Sequence, residues 1–129
     1  MARKAPTRLV ARNLDTGSTL ATRVSVATRR VERAVGLLTR SSLARGEALL
    51  ITPCRGVHTW GMRFPIDLIA LDDAGVVVDA VPALGPWRIR LPRPGTVSVL
   101  ELPAGSLAES NTARGHRIEL QLEPAWEAA

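Results

Sequence analysis

Apolar and polar positions alternate along most of this chain with a period of two, the spacing that turns one face of a strand to a core and the other to water. Residues 7–13 and 19–27 carry that pattern, and Asp15-Thr16-Gly17 supplies a turn between them. ALLIT at 48–52 reads as a short buried strand stopped by Pro53. IDLIALD at 66–72 and VVVDAV at 76–81 flank Asp73-Ala74-Gly75 and predict a hairpin. TVSVLEL at 96–102 and HRIELQL at 116–122 predict two further strands.

The period changes once. Thr28 suits an N-cap, and Val31, Ala34, Val35 and Leu38 follow the i, i+3, i+4, i+7 spacing of one buried stripe, which predicts a helix near 29–40. Ser106-Leu107-Ala108-Glu109 has capping-box spacing and predicts a helical turn near 106–111. PALGPWRIRLPRPG at 82–95 holds four prolines and predicts a stiff loop with one edge strand inside it. Glycines recur at 75, 85, 95, 105 and 115, the punctuation of a chain of short strands. The expected fold is mainly β: a single compact antiparallel β-sandwich or barrel, jelly-roll-like, over 1–129 with its core in about 7–122.

Composition narrows the chemistry. Hydrophobic residues make up 46% of the 129 and aromatics 3%, so the core is built from Val, Leu, Ile and Ala. One cysteine excludes an internal disulfide and a Cys-only zinc site. No apolar run reaches the length of a membrane span, and MARKAPTRLVARN lacks the apolar core of a secretory signal, so the expected location is cytoplasmic. The net charge of +5 is uneven: residues 1–45 carry ten basic and two acidic groups, and residues 46–129 carry seven basic and ten acidic. A basic first third fits a nucleic-acid-binding module, but no binding motif and few stacking aromatics accompany it, so that reading ranks third.

The order of short segments carries a resemblance. ERAVGLLTR, a short apolar strand, PCRGVHTWGMRFPIDLIALDDAGVVV, PWR, VLELPAG and a late Gly-bearing turn follow one another over about residues 20–120. This order resembles the DUF192 family, the "domain of unknown function 192". The resemblance implies a compact, mostly β fold of sandwich or jelly-roll type and no established activity. Many relatives have an aromatic-Met-Lys-Asn-Thr run where this chain has His58-Thr59-Trp60-Gly61-Met62, which argues against one metal chemistry shared by all members.

CRGVHTWGMRFPID at 54–67 concentrates the reactive residue types. Cys54, His58 and Met62 echo a blue-copper ligand loop, but that site needs a second His upstream and none is present. Cys54, His58, Asp67 and His116 have no zinc-site spacing, and four extended residues advance ~13 Å. No metal and no cofactor are therefore expected. Arg55 and His58 beside Cys54, with Asp67 orienting the imidazole, would make a thiol enzyme. Against it, a lone Cys after Pro commonly serves as a small buried apolar residue. Asp67 and Glu101, each set between apolar neighbours, suit carboxylates that accept backbone N–H groups or pair with an Arg such as Arg63.

Trp87 and Arg88 form a second polar cluster in the Pro-rich loop. The leading expectation is a small soluble binding or accessory domain with a polar cleft between loops 54–63 and 85–90. His58, Thr59, Met62, Arg63, Trp87 and Arg88 would face an unidentified small molecule or anion. The alternative is the cysteine-dependent enzyme using Cys54 and His58.

Overall fold

The computed structural model describes residues 7–28, 42–54, 57–58, 64–85, 89–90 and 93–125, with backbone alone at 57, 58, 89 and 90. The helix expected near 29–40 lies outside the described residues. Among the described residues there are ten strands: β1 Thr7–Asn13, β2 Thr19–Ala21, β3 Arg23–Ala27, β4 Glu47–Ile51, β5 Val57–His58, β6 Ile66–Leu71, β7 Val77–Leu84, β8 Ile89–Arg90, β9 Ser98–Pro103 and β10 Ile118–Pro124. One short helix, α1 (Ser106–Ser110), lies between β9 and β10.

The strands form a three-stranded sheet in the order β10-β1-β2, a five-stranded sheet in the order β3-β4-β9-β6-β7, and a two-stranded ribbon of β5 and β8. Neither larger sheet closes on itself among the described residues, and the two sheets form separate layers. The layers share one core: Ala11, Leu20, Ala21 and Ile118 from the small sheet meet Ala48, Leu50, Ile69 and Leu100 from the large one, with Leu107 of α1. All ladders are antiparallel but one. β3 and β4 run parallel, Arg23 opposite Glu47 through Ala27 opposite Ile51, a pair that the antiparallel expectation did not include. The 19 residues between them are enough for the crossover that parallel neighbours require.

β6 is buried along its whole length and has two faces. Ile69 and Leu71 face the inter-sheet core, while Ile66 and Leu68 join Val99 in a second apolar cluster on the other face. Asp67 alternates with them onto the core side. Its carboxylate accepts the Ala83 N–H on Oδ1 at 2.8 Å, and the Gly105 and Leu107 N–H groups on Oδ2 at 3.1 and 2.8 Å.

That one side chain explains two departures from the sequence reading. β7 runs three residues past its expected end at 81, because the register slips by one between Leu68 opposite Val81 and Ile66 opposite Leu84. The extra residue at this bulge leaves Ala83 at φ 47 with its N–H turned to Asp67. Pro82 is tolerated there because β7 is an edge strand of the sheet. Ser106, expected as the cap of α1, is its first residue; Gly105 holds the cap position and no local side chain caps it. Asp67 supplies the acceptor instead, from about forty residues away.

Tight turns behave as the glycine spacing predicts. In the β6–β7 hairpin, Asp72 Oδ1 accepts the Ala74 and Val76 N–H groups at 2.9 Å each, and Gly75 has φ 80. A Cβ built on Gly75 would lie 2.7 Å from the Ile118 carbonyl oxygen, so this glycine is fixed by both conformation and space. Gly75→Ala is expected to destabilise the fold by at least about 1 kcal/mol in urea unfolding. Asp67→Asn puts an NH2 group where N–H donors converge, and is expected to cost roughly 2–4 kcal/mol in the same measurement.

Candidate functional site

The two polar segments singled out in the sequence meet. β5 and β8 pair antiparallel, with Val57 opposite Arg90 and His58 opposite Ile89. This joins the segment after Cys54 to the Pro-rich loop, a two-residue ladder that no strand pattern in VHTWGM had indicated. Thr59, Met62, Arg63, Trp87 and Arg88 lie outside the described residues, as does the His58 side chain.

Cys54 stands three residues before β5. It is partly buried, donates its N–H to the Val97 carbonyl at 2.8 Å, and packs against the second apolar cluster with Phe64, Leu49 and Val81. This is the apolar environment of a packing cysteine. Asp67 does not share it. It points to the opposite face of the sheet with both oxygens engaged by backbone, which separates it from Cys54 as an imidazole-orienting partner. Among the described residues no three His, Cys, Asp or Glu side chains lie close enough together to hold a metal.

Glu101 departs most from its sequence reading. It sits mid-strand in β9, directly between Leu49 of β4 and Leu68 of β6, and so shares the face of the second cluster. It is 3% exposed, and its buried Oε2 has no hydrogen-bond partner among the described residues. The expected backbone N–H groups are absent because its neighbours' amides are spent on the β4–β9–β6 ladders. Burial raises its pKa from 4.5 to about 7. A carboxyl so placed exchanges its proton near neutrality, a property found more often at functional positions than in plain cores.

A polar cluster that the sequence reading missed holds one end of the small sheet, where β1 finishes beside the start of β10. Asn13 is fully buried; its Nδ2 reaches Thr112 Oγ1 at 3.0 Å and His116 Nδ1 at 3.1 Å. Its Oδ1 accepts the Asp15 and Thr16 N–H groups at 2.9 and 3.1 Å. The Ala113 N–H also donates to His116 Nδ1, at 3.2 Å, so that nitrogen is an unprotonated acceptor. Asn13 ending an alternating strand just before a turn is the only sequence signal of this arrangement.

Glu101 yields a pH dependence with a definite sign. Its folded pKa lies above the unfolded value, so the folded protein holds the proton more tightly. The stability gained is full below pH 4.5 and is lost as pH rises through about 7. Relative to Glu101→Gln, the native protein is expected to lose ~3 kcal/mol of unfolding free energy between pH 4.5 and 8, read from paired urea titrations.

Comparison with known proteins agrees with the motif order. The chain is 34% identical over 67 residues to a UPF0127 protein of Thermococcus sibiricus, covering 52% of this chain and 43% of that protein, so it spans under half of that relative's length. It is 33% identical over 103 residues to a UPF0127 protein of Pyrococcus abyssi, covering 75% of this chain and 85% of that protein. Two crystal structures share the fold at low identity. A protein of unknown function from Novosphingobium aromaticivorans has a TM-score of 0.75 at 20% identity, over 86% of this chain and 82% of that one. A candidate transcription regulator from Sinorhizobium meliloti has a TM-score of 0.76 at 21% identity, over 93% and 98%. The family model described as "Uncharacterized ACR" matches residues 12–120, and the chain belongs to the DUF192 family.

Proposed function

We propose that this chain is a small binding or accessory domain whose ligand, a small molecule or anion, sits between segments 54–63 and 85–90. The observation that carries this reading is the β5–β8 ladder, which joins the two segments through Val57–Arg90 and His58–Ile89. Thr59 follows His58 in the chain, and Trp87 and Arg88 precede Ile89, so these residues lead directly away from the paired positions. In sequence, Trp87 stands two residues before Ile89, the partner of His58 in the ladder. His58, Thr59, Arg63 and Arg88 offer hydrogen-bond donors, and Met62 and Trp87 offer apolar surface. Pro82, Pro86 and Pro92 stiffen the second segment and lower the entropy lost on binding.

No reaction is proposed. Packing of Cys54 against the apolar cluster favours binding over thiol chemistry. The test is a thermal-shift screen over metals, anions and metabolites, followed by His58→Ala and Trp87→Ala. A ligand at a hundred times its Kd is expected to add about 2.7 kcal/mol to stability. Each substitution should weaken it at least tenfold, roughly 1.4 kcal/mol, while leaving the unliganded melting temperature within a few degrees. Unchanged affinity in both variants would sink the reading. So would rapid alkylation of Cys54 near neutral pH with no ligand found, which would favour the enzyme.

A further inference from the structure

A second candidate site lies on the surface between two turns. Arg93-Pro94-Gly95-Thr96 closes with the Thr96 N–H on the Arg93 carbonyl at 3.2 Å, and the Thr96 hydroxyl donates to the same oxygen at 2.7 Å. Ala113-Arg114-Gly115-His116 closes with the His116 N–H on the Ala113 carbonyl at 3.2 Å. Both turns have glycine at the third position with positive φ, 88 for Gly95 and 89 for Gly115. This is the pattern of a type II turn.

The second turn is anchored further. The Gly115 N–H donates to the Val77 carbonyl and the Val77 N–H to the His116 carbonyl, each at 2.8 Å, and His116 Nδ1 accepts the Ala113 N–H. Between the turns lies an open groove of about 600 Å³ lined by Val77, Val78, Arg93, Pro94, Arg114 and Gly115.

We propose that this groove binds a small organic anion, its oxyanion head held by the Arg93 and Arg114 guanidiniums and its apolar part lying on Val78 and Pro94. Asp79 fixes Arg93. Its carboxylate side chain is 6% exposed and sits 3.3 Å from Arg93 Nε, while Arg93 itself is 47% exposed. Engagement through Nε leaves the two terminal nitrogens of the fork for an incoming oxyanion. Arg114 is exposed and has no ion pair among the described residues. A Cβ at Gly115 would meet no atom within 4 Å, so the groove is unobstructed beside the arginine.

Both turns are pinned by backbone hydrogen bonds, the second also by His116, and Asp79 holds Arg93, so the ordering on binding falls mainly on the Arg114 side chain. Overall charge did not mark this place, since residues 46–129 carry more acidic than basic groups. The proposal stands apart from the ribbon site and does not depend on it.

Inorganic phosphate and phenyl phosphate, titrated separately at low ionic strength into the full chain and followed by calorimetry, test it. Saturable binding is expected for both, with phenyl phosphate tighter because the apolar wall adds to it. Arg114→Gln and Arg93→Lys should each weaken phenyl phosphate roughly tenfold or more. Arg117→Gln, in the adjoining groove that shares Gly115, should leave it unchanged. Thermal melts that stay cooperative in all variants exclude misfolding as the cause. Four results would each overturn the proposal: no saturable binding, equal affinity for the two probes, equal losses in the Arg117 variant, or short single-stranded DNA bound in place of phenyl phosphate.

Discussion

Three backbone N–H groups converge on the carboxylate of Asp67, and much of the layer arrangement follows from that convergence. Gly105 and Leu107 belong to the entry of α1, and Ala83 to the bulged end of β7. Without an acceptor, α1 would begin on a glycine with bare amides, and a five-residue helix has no cooperativity to spare. The same carboxylate stabilises the bulge, where Ala83 adopts a left-handed conformation unfavourable for a residue with a Cβ. A central strand thus fixes both an edge strand and the helix that seals the inter-sheet core through Leu107.

Glu101 is the counterexample on the opposite face. Both acids lie mid-strand among apolar neighbours and both are almost fully buried, Asp67 at 1% and Glu101 at 3%. Asp67 is placed where a loop and a bulge bring spare donors, whereas Glu101 is flanked by strands whose donors are committed to ladders. The first acid stabilises the fold; the second, when charged, opposes it. Among the described residues Glu101 Oε2 has no hydrogen-bond partner amid Leu49, Leu68 and Val99, an arrangement that costs the charged form its solvation.

Local pattern made β1, the β6–β7 hairpin, β9, β10 and α1 legible, because strand alternation and turn chemistry are encoded within a few residues. The parallel pairing of β3 and β4 was not, since hydrophobic pattern does not record strand direction. The β5–β8 ladder spans only two pairs and leaves no periodicity to read. For Asp67 and Glu101 the sequence context is the same, an acid between apolar residues, and only the long-range supply of donors separates them. Asn13, Thr112 and His116 meet across about a hundred positions, so nothing local announces the cluster.

Turns therefore carry two roles in this architecture. Gly75 closes a hairpin against the Ile118 carbonyl, and no side chain fits there. Gly95 and Gly115 close turns whose outward side is open, and each has an arginine within two residues. His116 connects the roles: the network that holds Asn13 at the end of β1 also holds the turn bearing Arg114. Buried hydrogen bonding at the sheet ends thereby fixes the carrier of an exposed charge. Beside the buried mid-strand acids, the turns at Gly95 and Gly115 carry arginines outward, one engaged by Asp79 and the other on a turn held by His116.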